Sequence, residues 1–205
     1  GYLANGNAKV LRRKGKSIHG KETRGKLSNK GKSIRKRDKS VYSRKEFGHW
    51  EIDTVVSGSG KSKACFVTMA ERKTRYYIVV KAENRTAEVV KKAVIDAMKS
   101  LPRGTVKTIT TDNGKEFAKW QEIEDELKTN VYFADPYCAW QKGTNENLNG
   151  LLREFYPKGR NLARVSAKTL AQNVAKINNR PRKVLNYKTP ADLFEQELQK
   201  ALHLS

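Results

Sequence analysis

Two linked pieces of sequence, Lys107-Thr-Ile-Thr-Thr-Asp112-Asn-Gly and Asp135-Pro-Tyr-Cys-Ala-Trp140-Gln-Lys-Gly-Thr-Asn-Glu146-Asn, decide the reading of this chain. Val106, Ile109 and the neighbouring threonines favour a pleated backbone, and Asn113-Gly114 forces a turn directly after Asp112. The first piece is therefore a short strand that carries a carboxylate to its end. The second is a loop containing Pro and Gly that delivers Glu146 onto the first turn of an amphipathic helix. Upstream, His49-Trp-Glu-Ile-Asp53-Thr-Val-Val is a strand with an acid in its middle. Three carboxylates on three separate elements of a very basic chain point to a metal site that acts on nucleic acid.

Working outward, Trp50, Ile52, Thr54 and Val56 alternate with Glu51, Asp53 and Val55, so Glu51 and Asp53 share one face of their strand. Ser57-Gly-Ser-Gly60 turns the chain, residues 63–70 return as a second strand, and residues 74–81 follow as a third. Thr86 stands as N-cap of a helix whose apolar positions run from Val89 to Leu101, ended by Pro102 and Gly104. After the Asp112 strand come a helix around 117–127, a short strand from Val131, and the Glu146 helix. In that helix Leu148, Leu151, Leu152 and Phe155 form the buried stripe, and Glu146, Asn149 and Arg153 share the polar side. A further helix spans about 166–178, and Thr189-Pro190 opens a last one. The order describes an α/β fold, a mixed five-stranded sheet flanked by helices, with C-terminal helices beyond.

The formal charge is +22 over 205 residues, which calls for a polyanionic partner, and nucleic acid is the first choice. Residues 1–47 alone hold 16 Lys/Arg against three acids and show no sustained periodicity. Residues 1–46 are read as a basic DNA-contacting arm or linker, and 47–205 as the catalytic domain with a C-terminal helical extension. In the arm, Arg12, Arg13, Lys14, Arg35, Lys36 and Arg37 are the expected phosphate contacts. No apolar run is long enough to span a bilayer and no signal-peptide pattern opens the chain, so a cytoplasmic, nucleoid-associated protein without a membrane partner is expected. Cys65 and Cys138 lie far apart without a CxxC or His pattern, as reduced thiols would.

Phosphoryl transfer on DNA needs a reactive oxygen nucleophile and neutralised charge on the leaving oxygen, and two Mg²⁺ ions supply both. Hard cations of this kind take carboxylate oxygens, with Mn²⁺ as a workable substitute. Asp53, Asp112 and Glu146 are the candidate catalytic and metal-holding residues. Glu51 is the rival of Asp53 on the same strand face, and Asp135 and Glu154 are the rivals of Glu146. Asp112 also suits an Asx turn before Asn113-Gly114.

The chain resembles the DDE-type transposases of bacterial insertion sequences, in particular the insertion-sequence-30 family. The resemblance rests on Gly48-His-Trp-Glu-Ile-Asp53, Thr110-Thr-Asp112-Asn-Gly, Phe133-Ala-Asp-Pro-Tyr137, Trp140-Gln-Lys-Gly-Thr-Asn-Glu146-Asn, Asn149-Gly-Leu-Leu-Arg153, and Asn178-Asn-Arg-Pro-Arg-Lys183 with Tyr187-Lys-Thr-Pro. Asp112 and Glu146 are separated by 33 residues, as in that family. The resemblance implies a ribonuclease H-like core, metal-dependent cleavage of transposon ends, and transfer of the 3′-hydroxyl into target DNA. It implies Asp53, Asp112 and Glu146 as the triad, and a homodimer or larger assembly on terminal repeats and target DNA. The family's helix-turn-helix domain would precede residue 1, so a catalytic fragment is expected. The loop 136–144 resembles the active-site loop of integrases, with Tyr137, Trp140, Gln141 and Lys142 as contacts to a DNA end. Arg153, Lys158 and Arg160 are expected at phosphates, while the motif Asn179 to Lys183 receives no role. Two other readings stay open: a nuclease of the same fold acting on RNA–DNA hybrids, and a non-enzymatic DNA-binding protein.

Overall fold

The computed structural model describes residues 31–136 and 138–203. Arg12, Arg13, Lys14 and Tyr137 lie outside the described residues. Six strands form one sheet: β1 (Lys32–Ser33), β2 (His49–Val56), β3 (Cys65–Glu71), β4 (Tyr77–Ala82), β5 (Thr108–Thr111) and β6 (Asn130–Phe133). Their spatial order is β1-β6-β5-β2-β3-β4. The meander β2–β3–β4 is antiparallel, as its turn sequences require, whereas β5 pairs parallel to β2, β6 to β5, and β1 to β6. Parallel neighbours need crossovers. These are supplied by α1 (Ala87–Lys99) between β4 and β5, and α2 (Trp120–Leu127) between β5 and β6.

The alternation along β2 sorts its side chains onto two cores. Trp50 and Ile52 join Val67, Met69, the α1 residues Val90, Val94 and Met98, Ile123 of α2, and Phe194. Phe194 belongs to α5 (Pro190–His203) and stacks on Tyr76 at 3.9 Å between ring centroids. On the opposite face Val55, Phe66, Ala70 and Tyr77 meet Leu148, Leu151, Leu152 and Tyr156, then Leu170 and Ile177. These belong to α3 (Gly143–Phe155), the residue just after it, and α4 (Ala167–Asn178). The predicted leucine stripe is thus the one that docks α3 on the sheet. Burying side chains such as Leu148 and Leu152 contributes about 1.5–3 kcal/mol each. The docking brings α3 across the face on which Glu51 and Asp53 stand.

Two expectations are corrected here. The sheet has six strands, because Lys32 and Ser33 pair with Tyr132 and Phe133. The stretch expected to be an irregular arm through residue 46 is packed from β1 onwards: Ile34 is fully buried and Val41 nearly so. Two isolated apolar residues in a basic run give no periodic signal, and a two-residue edge strand has no room to alternate. Thr86 is the N-cap of α1 in backbone geometry but makes no side-chain cap bond. Its N–H and hydroxyl instead donate to Asn84 Oδ1. No helix among the described residues is long and apolar enough to cross a membrane.

Candidate active site

Asp53 lies mid-strand in β2, and its two oxygens have separate partners. Oδ1 accepts the Thr54 N–H at 2.8 Å, and Oδ2 accepts the Asn149 side-chain amide at 3.0 Å. Asn149 is held in turn by the buried Tyr77, whose hydroxyl donates to Asn149 Oδ1 at 2.5 Å. Burial raises the Asp53 pKa above the ordinary carboxylate value; Lys142 opposes this shift and the Asp112 charge adds to it.

Asp112 follows the last residue of β5. Its Oδ1 accepts the Gly114 N–H at 2.9 Å, the Asx geometry its sequence suits. That bond leaves Oδ2 facing Lys142, 3.3 Å away. A Cβ at Gly114 would stand 2.4 Å from Glu116 Oε2 and 2.9 Å from Asp112 Oδ1, so a larger residue here would push on both carboxylates.

Lys142 closes this arrangement. Its side chain is buried, with Nζ 3.6 Å from Asp53 Oδ1, 3.3 Å from Asp112 Oδ2, and 3.4 Å from the carbonyl of Ile52. One cation therefore sits between the two strand carboxylates. The ammonium is a stand-in: it shows that two hard oxygen donors converge on a point that accepts positive charge, as a divalent ion would require.

The third acid is placed differently. Glu146 lies in the first turn of α3, one turn before Asn149 on the same helix face, and its side chain is exposed. Among the described residues no three His, Cys, Asp or Glu side chains are grouped closely enough to hold a metal ion. The structure thus brings Asp53 and Asp112 together across Lys142 and leaves Glu146 at the rim.

What fixes that turn of α3 is its neighbour Asn145, which is fully buried. Its backbone N–H donates to Glu51 Oε2 at 2.8 Å. Its side-chain amide donates to the carbonyls of Glu51 and Thr68, and its Oδ1 accepts from the Thr68 hydroxyl. Glu51, the rival of Asp53, is also ion-paired to Arg72, so its carboxylate is consumed in anchoring. The other rivals are engaged too: Asp135 with Arg35 and Gln141, and Glu154 with Arg180.

Several expected DNA contacts prove to be interior groups. Arg37 is buried and donates to the Thr110 hydroxyl at 2.7 Å. Gln141 is buried, its Oε1 accepting the Asp135 N–H and its Nε2 donating to that carboxylate. Arg153 is half-buried and donates to the carbonyls of Tyr156 and Val56, tying the end of α3 to β2. Each spends polar groups on partners within the chain, which sequence alone cannot distinguish from phosphate contacts. Lys36, Lys158 and Arg160 are exposed, as is Arg35 beside Asp135, and Trp140 is 69% exposed.

Sequence reasoning missed three contributors. Glu116 is buried beside Asp112, accepts the Thr54 hydroxyl at 3.1 Å and faces Arg85 at 3.7 Å. Asn145 and Asn149 flank Glu146 in the motif already quoted, yet nothing in their residue type announces that they reach Glu51 and Asp53. Cys65 and Cys138 are free thiols, Cys65 being buried.

The integrase core domain family matches residues 43–139, a span that contains Asp53 and Asp112. The probable transposase for insertion-like sequence element IS1161 of Streptococcus salivarius is 42% identical over 165 residues, 80% of this chain and 46% of that protein. Transposase InsI for insertion sequence element IS30A of Escherichia coli is 39% identical over 166 residues, 81% of this chain and 43% of that one. The chain spans about half the length of the curated relatives it matches. Among solved structures, the catalytic core domain of BIV integrase superposes with a TM-score of 0.58 at 17% identity, covering 76% of this chain and 99% of that one. The HTLV-2 integrase catalytic core domain, in complex with magnesium, gives 0.53 at 18% identity, covering 70% and 93%. At these identities the likeness is one of fold, and it extends to the mixed sheet flanked by helices. Residues 43–139 thus match the integrase core domain family, and about four-fifths of the chain is similar to transposases of bacterial insertion sequences.

Proposed function

We propose that this domain is the catalytic core of a DNA transposase, which hydrolyses a phosphodiester at the element's end and transfers the freed 3′-hydroxyl to a target strand. The observation that carries the reading is the convergence of Asp53 and Asp112 on a single cation, with α3 pinned beside them. Asp53, Asp112 and Glu146 are the residues that would hold Mg²⁺, two ions in the full site, with Mn²⁺ as substitute. When bound, such ions supply Lewis-acid stabilisation of charge on the attacking and leaving oxygens.

The chain's own residues prepare that site. Asn149 and Thr54 orient Asp53, the Gly114 N–H orients Asp112, and Asn145 sets the turn from which Glu146 projects. Lys142 neutralises the carboxylate pair, a role that a divalent cation held by Asp53 and Asp112 would take over. The partners are the element's terminal repeats and a target duplex, and joining two ends calls for at least two copies of the chain. Exposed Trp140, Lys158 and Arg160 are the DNA contacts that this surface offers.

The test is a strand-transfer assay with a labelled duplex ending in the terminal repeat, a plasmid target, and Mg²⁺ or EDTA. Wild type is expected to yield metal-dependent joined products, and Asp112→Asn and Glu146→Gln none. Asp112→Asn should retain or gain DNA affinity, since a negative charge near phosphate is removed. Joining by Glu146→Gln at the wild-type rate would remove Glu146 from the site. Full cleavage by Asp112→Asn would remove the whole assignment.

A further inference from the structure

At the first turn of α3 lies a second feature that the catalytic reading leaves unused. A pocket of about 280 Å³ is lined by Arg44, Arg75 and Arg182, with Thr144, Asn147 and Val184. The three arginines come from unrelated stretches. Arg44 ends the short helix Lys39–Ser43, Arg75 sits in the β3–β4 turn, and Arg182 follows α4 within the Asn-Arg-Pro-Arg-Lys motif. Arg44 and Arg75 adopt left-handed backbone conformations, φ 57° and 63°, which non-glycine residues rarely hold without tertiary support.

The charge in this pocket is unbalanced. Among the described residues none of the three guanidinium groups is ion-paired to a carboxylate, although ion pairs are numerous elsewhere on the chain. The Nε of each is buried and lacks a hydrogen-bond acceptor. Arg75 Nη1 donates to the Thr144 hydroxyl at 2.7 Å and Arg182 Nη2 to the carbonyl of Ile177 at 3.2 Å, leaving the remaining donors of both unassigned. Burial, then the charges of Arg44 and Arg72, push the Arg75 guanidinium down to about 10, with Glu51 and Glu71 opposing. Neither acid forms an ion pair with Arg75: Glu71 is taken by Gly48 and Thr74, and Glu51 by Arg72 and Asn145. Half-buried guanidinium groups that lack an ion-pair partner favour an anion, and their forks match phosphate geometry. The first turn of α3 contributes Gly143 and Thr144 to the same pocket, where the helix favours negative charge.

We infer that the Arg44, Arg75 and Arg182 pocket is a phosphate site that takes a backbone phosphodiester of the DNA strand lying beside Glu146. The inference rests on DNA being the substrate, and it gives the Asn179 to Lys183 motif the role of delivering Arg182. A phosphate held there meets the same helical turn that carries Glu146, so strand position and the third carboxylate are set by one element. Anchoring by phosphate is independent of base sequence.

The experiment measures binding of a fluorescein-labelled duplex by anisotropy as a function of salt. It compares wild type, the double variant Arg75→Gln/Arg182→Gln, the exposed control Arg103→Gln, and Val184→Glu. Val184 is 68% exposed at the pocket, so its variant places negative charge at the mouth without disturbing packing. The double variant and Val184→Glu are expected to bind on the order of tenfold more weakly and to lower the log–log salt slope by about 1, the value for one lost phosphate contact. Arg103→Gln should leave the slope near that of wild type. In parallel, inorganic phosphate should raise the melting temperature of wild type above chloride at equal ionic strength, and should do so less for Val184→Glu. Unchanged slope and affinity in Val184→Glu would overturn the proposal, whether or not the double variant folds. Phosphate stabilisation lost in Val184→Glu with an unaltered DNA slope would also overturn it, since the pocket then takes free phosphate and not DNA. Failure of wild type to join strands, alongside a reduced slope in the variants, would sink the transposase reading and leave the pocket standing.

Discussion

The side-chain amide of Asn149 donates to Oδ2 of Asp53 across 3.0 Å, from a helix to the strand it crosses. Because Tyr77 holds the other end of the same amide, the first carboxylate of the site is oriented by a two-step relay that begins inside the core. Asn149→Ala removes a hydrogen bond to a charged group and takes the Asn149 acceptor away from a buried hydroxyl. The expected loss is about 2 kcal/mol, which corresponds to roughly 4–8 °C in melting temperature for a domain of this size. Mn²⁺ affinity, measured by calorimetry, should fall with it. Unaltered Mn²⁺ binding in a destabilised variant would show that the relay serves packing only.

Lys142→Met removes the internal cation and leaves Asp53 and Asp112 facing each other. Without metal the variant should melt below wild type, and Mg²⁺ should restore more stability to it than to wild type. Divalent affinity should tighten on the order of tenfold, about 1.4 kcal/mol. Weaker binding would make Lys142 a helper of the metal site and not a competitor.

His49 supplies a pH dependence. It is buried, with Nδ1 at 2.8 Å from the Thr108 hydroxyl and Nε2 at 3.0 Å from Glu46 Oε2. Burial lowers its pKa below the ordinary 6.5, with Glu46 opposing. The unfolded chain therefore binds this proton more readily than the folded one. This contribution to stability is complete above pH 6.5 and is lost as the pH falls through the depressed folded value. Melting temperatures measured downward from neutral pH should show a decline that His49→Gln lacks. Parallel curves for the two proteins would rule the titration out.

Gly58 tests the join between the β2–β3 turn and the segment after α3. Its N–H donates to the carbonyl of Arg160 at 2.9 Å, and a Cβ would stand 2.4 Å from the carbonyl oxygen of Gly159. Backbone on both sides cannot yield as a flexible side chain does. Gly58→Ala should cost about 1–3 kcal/mol. Since Arg160 moves with that segment, amide exchange there should quicken. A melting temperature equal to wild type would mean that the turn relaxes freely.

Much of this molecule is legible in its residues. Two-fold alternation in His49 to Val56 places Glu51 and Asp53 on one face, and the Leu148, Leu151, Leu152 stripe docks α3 on that face, because both periodicities follow from backbone geometry alone. The Asn113-Gly114 turn likewise puts Asp112 at a strand end. Such signals are local, and the sequence determined them, together with the basic charge and the three acids. Tertiary structure alone decided which polar groups spend themselves inward. Glu51, Arg37 and Gln141 have the residue types of a surface site but serve as buried anchors, and Lys142 lies between two carboxylates whose meeting no spacing expresses. It also drew Ile34 and Val41 into the core and gathered Arg44, Arg75 and Arg182 around one pocket. A side chain's partner across the fold depends on how distant elements pack, and packing is set by the whole apolar surface and not by any one stretch of it.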